Sequence, residues 1–366
     1  MPLNPRHFSV LGLPAWSLLI PALATALLAV PLSALPDWAG LSLISVSLIG
    51  AVLVAVFHAE VVAHRIGEPF GTLVLALAVT VIEVSLIVSM MLTGDPAASA
   101  LARDTVFATV MIICNGVIGL CLLAGALKHR IIAFRVEGTS SALSVLTALT
   151  TLTLVLPEFT TSTAGPTYAP PQLVFAGLMS LVLYGVFVFV QTIRHREFFL
   201  PIETGGDEEH PAEISTAGAW LSFALLALSL VAVVGLAKLL SPAIQSGVAA
   251  ANAPAAVVGI AIALLVLLPE TWAALRQALR NRMQTSMNLA LGSALATIGL
   301  TIPSVAAVSI LLDMPLLLGL PPKEIVLLYL TLLNSAITLA GGRATVLQGT
   351  VHLVIFAAFL FLAIVP

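Results

Sequence analysis

The sequence predicts an all-α polytopic membrane protein of about eleven transmembrane helices. Three observations carry that reading. Of 366 residues, 60% are hydrophobic and only 8% charged, against roughly a quarter charged in a soluble domain. The mean hydropathy is +1.14. Apolar runs of about 20 residues, the length a helix needs to cross a bilayer, recur along the chain. The short alternating segments of an outer-membrane barrel are absent.

The runs fall at 15–35, 41–64, 69–93, 102–126, 139–157, 171–193, 217–240, 254–276, 285–311, 324–342 and 344–365. No small-residue cleavage site follows Ala15–Leu35, so it reads as a helix rather than a signal peptide. The second run closes on HAEVVAH (58–64), which is not the HExxH pattern of a zinc protease. Glu60 and His64 stand one turn apart there and are candidates for a proton-entry pair. In the third, Glu83 sits within VTVIEVSLI (79–87), and Pro69 to Leu92 holds no other charge. A charge at a helix centre costs about 2.5–3.5 kcal/mol on insertion scales. Glu83 should therefore face the bundle interior, paired, protonated or holding a cation. Thr80, three residues earlier, shares its face.

Arg103-Asp104 opens the fourth run, with the acid complementing the helix dipole. Thr105, Thr109 and Asn115 add polar atoms suited either to ligation or to helix packing. Cys114 and Cys121 lie about two turns apart, too far to bridge, and read as small buried hydrophobes. The fifth run is short and ends in LPE (156–158) before the loop-like TTSTAGPTYAPP, which makes Glu158 a boundary residue. After the sixth comes the longest polar stretch, 194–216, with Glu197, Glu203, Asp207, Glu208, Glu209 and Glu213. It reads as a solvated, disordered linker, with gathering of divalent cations as the alternative.

In the eighth run Pro269 has no N–H to offer, so the Leu265 carbonyl loses its helical partner beside Glu270. A carboxylate next to a freed carbonyl suits a hard cation, which prefers oxygen ligands. Glu270 lies nearer its helix end than Glu83 does, which leaves a surface reading beside the site reading. The ninth run offers Asn288, Ser293 and Thr297, with Gly292 making a small face for close helix approach. Gly341-Gly342-Arg343 makes a tight joint between the last two runs.

The positive-inside rule gives the orientation. With the N-terminus inside, eleven basic residues collect on the cytoplasmic side: Arg6, Arg65, Lys128, Arg130, Arg135, Arg194, Arg196, Arg276, Arg280, Arg282 and Arg343. Only Arg103, Lys238 and Lys323 fall opposite. The expectation is a chain with its N-terminus on the cytoplasmic side and its C-terminus on the opposite side. The linker divides the chain into an N-terminal helix (1–36), five helices (37–193), the linker (194–216) and five more (217–366). Five is odd, so the two groups enter the membrane from opposite sides, as inverted repeats do. GTLVLALAVTVIE (71–83) can be laid over GIAIALLVLLPE (259–270), each ending in glutamate. VMIICNGVIGLCLL (110–123) faces LGSALATIGLTIPS (291–304), sharing the triplet IGL. The matched strings occupy the second and third helices of their groups.

AHRIGEPFGTLVLALAVTVIEVSLI (63–87) resembles the first signature of the bacterial calcium/proton, sodium/proton and potassium/proton antiporters of the calcium/cation antiporter superfamily. LLPETWAALRQALRNRMQTSMNLALGSALATIGLTIP (267–303) resembles the second. The resemblance implies one helix plus two inverted five-helix repeats, with cation and protons sharing a central site. The family's essential acids match Glu83 and Glu270, and Asn288, Gly292 and Ser293 follow in family-like order. The wider superfamily places a Gly-Asn pair before each glutamate; here Val79-Thr80 and Val266-Leu267 stand there. Amide ligands are thus missing at those places, with Thr80 a partial substitute, and the choice between calcium and the monovalent cations stays open.

The expected function is secondary exchange of cytoplasmic cations (calcium, with sodium or potassium as alternatives) for external protons. Its partners are inorganic cations, protons and the lipid bilayer, with no cofactor, no nucleotide and no nucleic acid; the oligomeric state is not legible. A cation channel using the same glutamates as a selectivity site is the alternative. An intramembrane enzyme would need a nucleophile–base pair or a metal triad at membrane depth, and the sequence offers neither.

Overall fold

The structure is a computed structural model and describes residues 9–10, 12–30, 37–66, 70–92, 99–200, 215–250, 254 and 256–365. A two-residue ladder, β1 (Ser9–Val10) with β2 (Leu13–Pro14), leads into α1 (Ala15–Leu27). Then follow α2 (Asp37–Ile66) and α3 (Phe70–Met91). The fourth run is one helix in two parts, α4 (Leu101–Met111) and α5 (Ile118–His129), joined by a π-helical turn at Ile112–Val117. Strand β3 (Ile132–Ala133) precedes α6 (Val136–Thr150), which passes through a π-turn (Thr151–Val155) into α7 (Leu156–Phe159). Next come α8 (Pro170–Phe189), α9 (Thr216–Ala250) and α10 (Ala256–Leu279). The ninth run is α11 (Met283–Ala296) and α12 (Ile302–Leu311), again joined by a π-turn, Thr297–Thr301. The chain closes with α13 (Pro322–Ala340), β4 (Arg343–Ala344) and α14 (Val346–Ile364).

Among the described residues, eight helices are long and apolar enough to cross a membrane. A ninth candidate is α10, whose halves Val257–Leu268 and Glu270–Leu279 are bent by 53°. Ala15–Leu27 and Thr80–Met91 are shorter apolar helices. The protein is thus a polytopic helical membrane protein, as its hydropathy predicts. The first run differs from expectation in length: its helix stops at Leu27, a turn carries the chain to Val30, and 31–36 lie outside the described residues. The bend in α10 falls at Pro269, whose missing N–H removes one rung of the helical ladder. Elsewhere, hydroxyls on the helices turn back on their own backbone: Thr150 to the Leu146 carbonyl at 2.9 Å, Ser180 to Ala176 at 2.8 Å, Ser229 to Leu225 at 2.8 Å. That satisfies them where water is absent.

The chain forms two compact units, Met1–Met90 with Asp207–Gly247, and Met91–Gly206 with Val248–Pro366. In the first, α1 packs on α2. Pro21 lies inside α1 and cannot donate to the Ser17 carbonyl one turn earlier. The buried His58 ring of α2 fills the gap, its Nε2 lying 2.9 Å from that oxygen. A carbonyl only accepts, so Nε2 carries the proton. Gly235 of α9 lets Leu28 approach so closely that a Cβ there would stand 2.6 Å from it.

The second unit centres on α4–α5, the most enclosed candidate span at 83% buried. Here α5 packs on α14 and α12 on α8, while α6 and α13 pack on each other. At one end of that pair, β3 and β4 form an antiparallel ladder and Phe134 N–H bonds the Gly342 carbonyl at 3.0 Å. At the other end, the N–H groups of Leu318 and Gly319 bond the Pro166 carbonyl at 3.1 and 2.9 Å. The two IGL glycines mark close approaches of helices. A Cβ on Gly119 would stand 2.9 Å from His352 Cβ, and one on Gly299 would stand 2.7 Å from Tyr184 Cβ.

Candidate functional site

Glu83 lies on α3 in the first unit, 2% exposed, with Thr80 buried one turn before it. The carboxylate therefore occupies the interior, as the cost of exposing it to lipid requires. Glu60 is exposed on α2 of the same unit. His64 continues that helix, and its side chain lies outside the described set.

Glu270 belongs to the second unit and follows the bend of α10 directly. It is partly exposed, and its Oε2 accepts a hydrogen bond from Ser293 Oγ at 2.6 Å. Two of the sequence candidates, on different helices and 23 residues apart, are thus brought together.

Asn288 does not join them. Its Nδ2 donates to the Phe199 carbonyl at 2.6 Å, and its Oδ1 accepts from Gln284 at 2.9 Å. Gln284 in turn accepts from the Arg135 N–H at 2.6 Å. These bonds tie the start of α11 to the segments before α6 and after α8. Asn115, fully buried in the π-turn, donates to Thr331 Oγ1 at 2.8 Å and meets His352 Nδ1 at 3.3 Å through its Oδ1. The other ring nitrogen of His352 lies 3.2 Å from Thr338 Oγ1. The reading of the sequence missed His352, although the signal was present: it is the one ionisable side chain between Val346 and Ile364, and such residues inside a membrane have a role by default. Arg103 and Asp104 pair at 2.8 Å, and Arg103 also bonds the Gly319 carbonyl at 3.1 Å.

Among the described residues no group of three or more His, Cys, Asp or Glu side chains could hold a metal ion. On the loops, burial pushes the Tyr168 phenol above its ordinary range while it donates to the Leu152 carbonyl at 2.6 Å. Glu197 is held below the usual carboxylate range, first by its own backbone N–H and then by His195.

A family model described as sodium/calcium exchanger protein matches residues 36–193 and 221–365. A putative ionic transporter of Sinorhizobium fredii, y4hA, is 49% identical over 96% of this chain and 97% of its own length. The sodium-potassium/proton antiporter ChaA of Escherichia coli is 35% identical over 86% of each. Of solved structures, native YfkE superposes with a TM-score of 0.73 at 16% identity, over 96% of this chain and 100% of that one. The H+/Ca2+ exchanger CAX superposes with a TM-score of 0.68 at 18% identity, over 94% and 87%. At those identities the likeness to solved structures is one of fold.

Proposed function

Because the chain belongs to the sodium/calcium exchanger protein family, we infer that its cation antiport runs on one site, made from Glu83 and Glu270, for which cations and protons compete. The protein is a transporter and not an enzyme. The observation that carries the site is the Glu270 carboxylate, clasped by Ser293 at 2.6 Å just past the Pro269 bend. Glu83 enters through its matched place in the first five-helix group and its burial. A carboxylate in an apolar bundle is stable when a proton neutralises it or a cation pairs with it. Arrival of one expels the other, and that competition couples the two fluxes.

The reading extends to export of cytoplasmic cations against entering protons by alternating access, across the bacterial inner membrane, N-terminus inside and C-terminus outside. Calcium, sodium and potassium are the proposed cargo. The name of the Escherichia coli relative, a sodium-potassium/proton antiporter, speaks for the monovalent ions, as does the absence of the Gly-Asn pairs. Eleven crossings arranged as one helix plus two inverted repeats fit the packing of the second unit. The third helix of each group packs on the fifth of the other, α5 on α14 and α12 on α8, while the fourth helices α6 and α13 meet. The loop after each third helix likewise bonds the loop after the other group's fourth.

Everted vesicles carrying the protein, challenged separately with calcium, sodium, potassium and magnesium, should release protons with at least one of the first three. Glu83→Gln and Glu270→Gln should each abolish that release while insertion persists. Near-normal exchange in both variants would remove the shared site. Cation flux without proton movement would make the protein a channel instead.

A further inference from the structure

The second unit holds one of its π-turns, that of α4–α5, against α10, the helix that bends before Glu270. α4–α5 runs alongside α10, with Gly259 against Asp104 and Thr105 at one end and Gly125 against the Ala278 carbonyl at the other. Between these points the π-turn Ile112–Val117 packs on α10. Interpolation puts it at about the level of Pro269–Glu270. A π-turn inserts one residue into the helix and turns everything before it by about 100° relative to everything after it. The face that α4 shows to α10 therefore depends on this turn staying formed.

A π-turn costs hydrogen bonding, and this one is held from outside. The Ile118 N–H bonds to the Ile113 carbonyl, five residues back, and so passes over the Cys114 carbonyl that an α-helix would have used. From α14 the His352 ring bonds into this turn: its Nδ1 stands 3.3 Å from Asn115 Oδ1, and its Nε2 stands 3.2 Å from Thr338 Oγ1. An amide oxygen only accepts, so Nδ1 carries the proton and Nε2 accepts from threonine. Neither bond involves a charged side chain, and the ring is fully buried. Gly119 and Gly349 allow the approach, with Gly349 so close to α5 that a Cβ would meet the Leu123 nitrogen at 2.5 Å.

We propose that His352 is a positioning residue for cation exchange, holding the π-turn of α4–α5 in register beside the Glu270-bearing bend of α10. The proposal rests on the antiport reading and adds a residue outside both glutamate helices. It acts as a neutral clamp, by hydrogen bonding and not by carrying the transported proton.

The test compares His352→Leu with His352→Asn in the full chain. Leucine fills the space and cannot donate; asparagine places an amide N–H where Nδ1 stands. In everted vesicles, His352→Leu should raise the cation KM about tenfold or more at comparable insertion, the size of a lost buried hydrogen bond. His352→Asn should restore it to within about threefold. Nitrogen-15 spectra of the wild-type protein labelled at histidine should contain a neutral Nδ1–H ring that disappears in His352→Leu. A wild-type KM in His352→Leu, or an Nε2–H or charged ring at His352, would overturn the proposal. Absence of proton release from the wild-type chain with every cation would count against the antiport reading instead, and the nitrogen-15 arm separates the two.

Discussion

Replacing Ser293 by alanine probes the candidate site without touching a charge. The hydroxyl donates to Glu270 Oε2 at 2.6 Å. A hydrogen bond to a charged group contributes about 1.5–3 kcal/mol. Alanine removes a charge-assisted bond from the ionised carboxylate and only a weaker, neutral one from the protonated form, a difference of about 1–1.5 kcal/mol. Protons should then compete better against the cation. Since each 1.4 kcal/mol is tenfold, the cation KM at fixed pH should rise about 5- to 12-fold, with maximal rate at saturating cation less affected. Raising the pH should recover part of the loss. The assay is proton release from everted vesicles against cation concentration at two pH values, with insertion checked by immunoblot. Ser293→Thr, which keeps the hydroxyl, should stay near wild type. A KM within twofold of wild type in Ser293→Ala at both pH values would refute the claim that this contact lies in the transport site.

Three further outcomes follow from the structure and the sequence. Gly299→Ala places a Cβ 2.7 Å from Tyr184 Cβ and should cost about 1–3 kcal/mol as overpacking, seen as a lower melting temperature in detergent. Gly185→Ala, with open space around it, should melt like wild type. His58→Leu strands the Ser17 carbonyl that Pro21 frees and should destabilise the packing of α1 on α2 by about 1–3 kcal/mol, read as faster proteolysis near α1. Replacing the acids of 203–213 with serine or glutamine should leave exchange intact, since that segment is predicted to lie outside the membrane; complete loss in an inserted variant would contradict a modulating role.

Much of the architecture was legible because the bilayer makes hydropathy nearly sufficient. Every described α-helix overlaps a predicted apolar run, since the backbone must bond internally wherever lipid replaces water. Glu83 and Glu270 stood out for the same reason, as charges where charge is costly. The glycines of the shared IGL triplet, Gly119 and Gly299, are points where α14 and α8 come close, and no other residue lacks a Cβ to clash.

Other features depend on which side chains meet across the fold. Pro269 announced a freed carbonyl, but the 53° bend and the choice of Ser293 as partner depend on how α11 packs on α10. Asn288 and Ser293 look alike in sequence, five residues apart on one helix. The fold gives one to the Phe199 carbonyl and the other to Glu270, because a helix turns by about 140° over five residues. The π-turns have no composition of their own, so a string such as IICNGV reads as ordinary helix. The register slip at Ile112–Val117 leaves the Cys114 carbonyl without its α-helical donor, and a histidine more than 200 residues away in sequence bonds the turn through the Asn115 side chain. A sequence by itself states which polar groups the membrane will not tolerate alone; only tertiary packing decides which partner each of them finds, because hydropathy is a property of a segment and a hydrogen bond is a property of a pair.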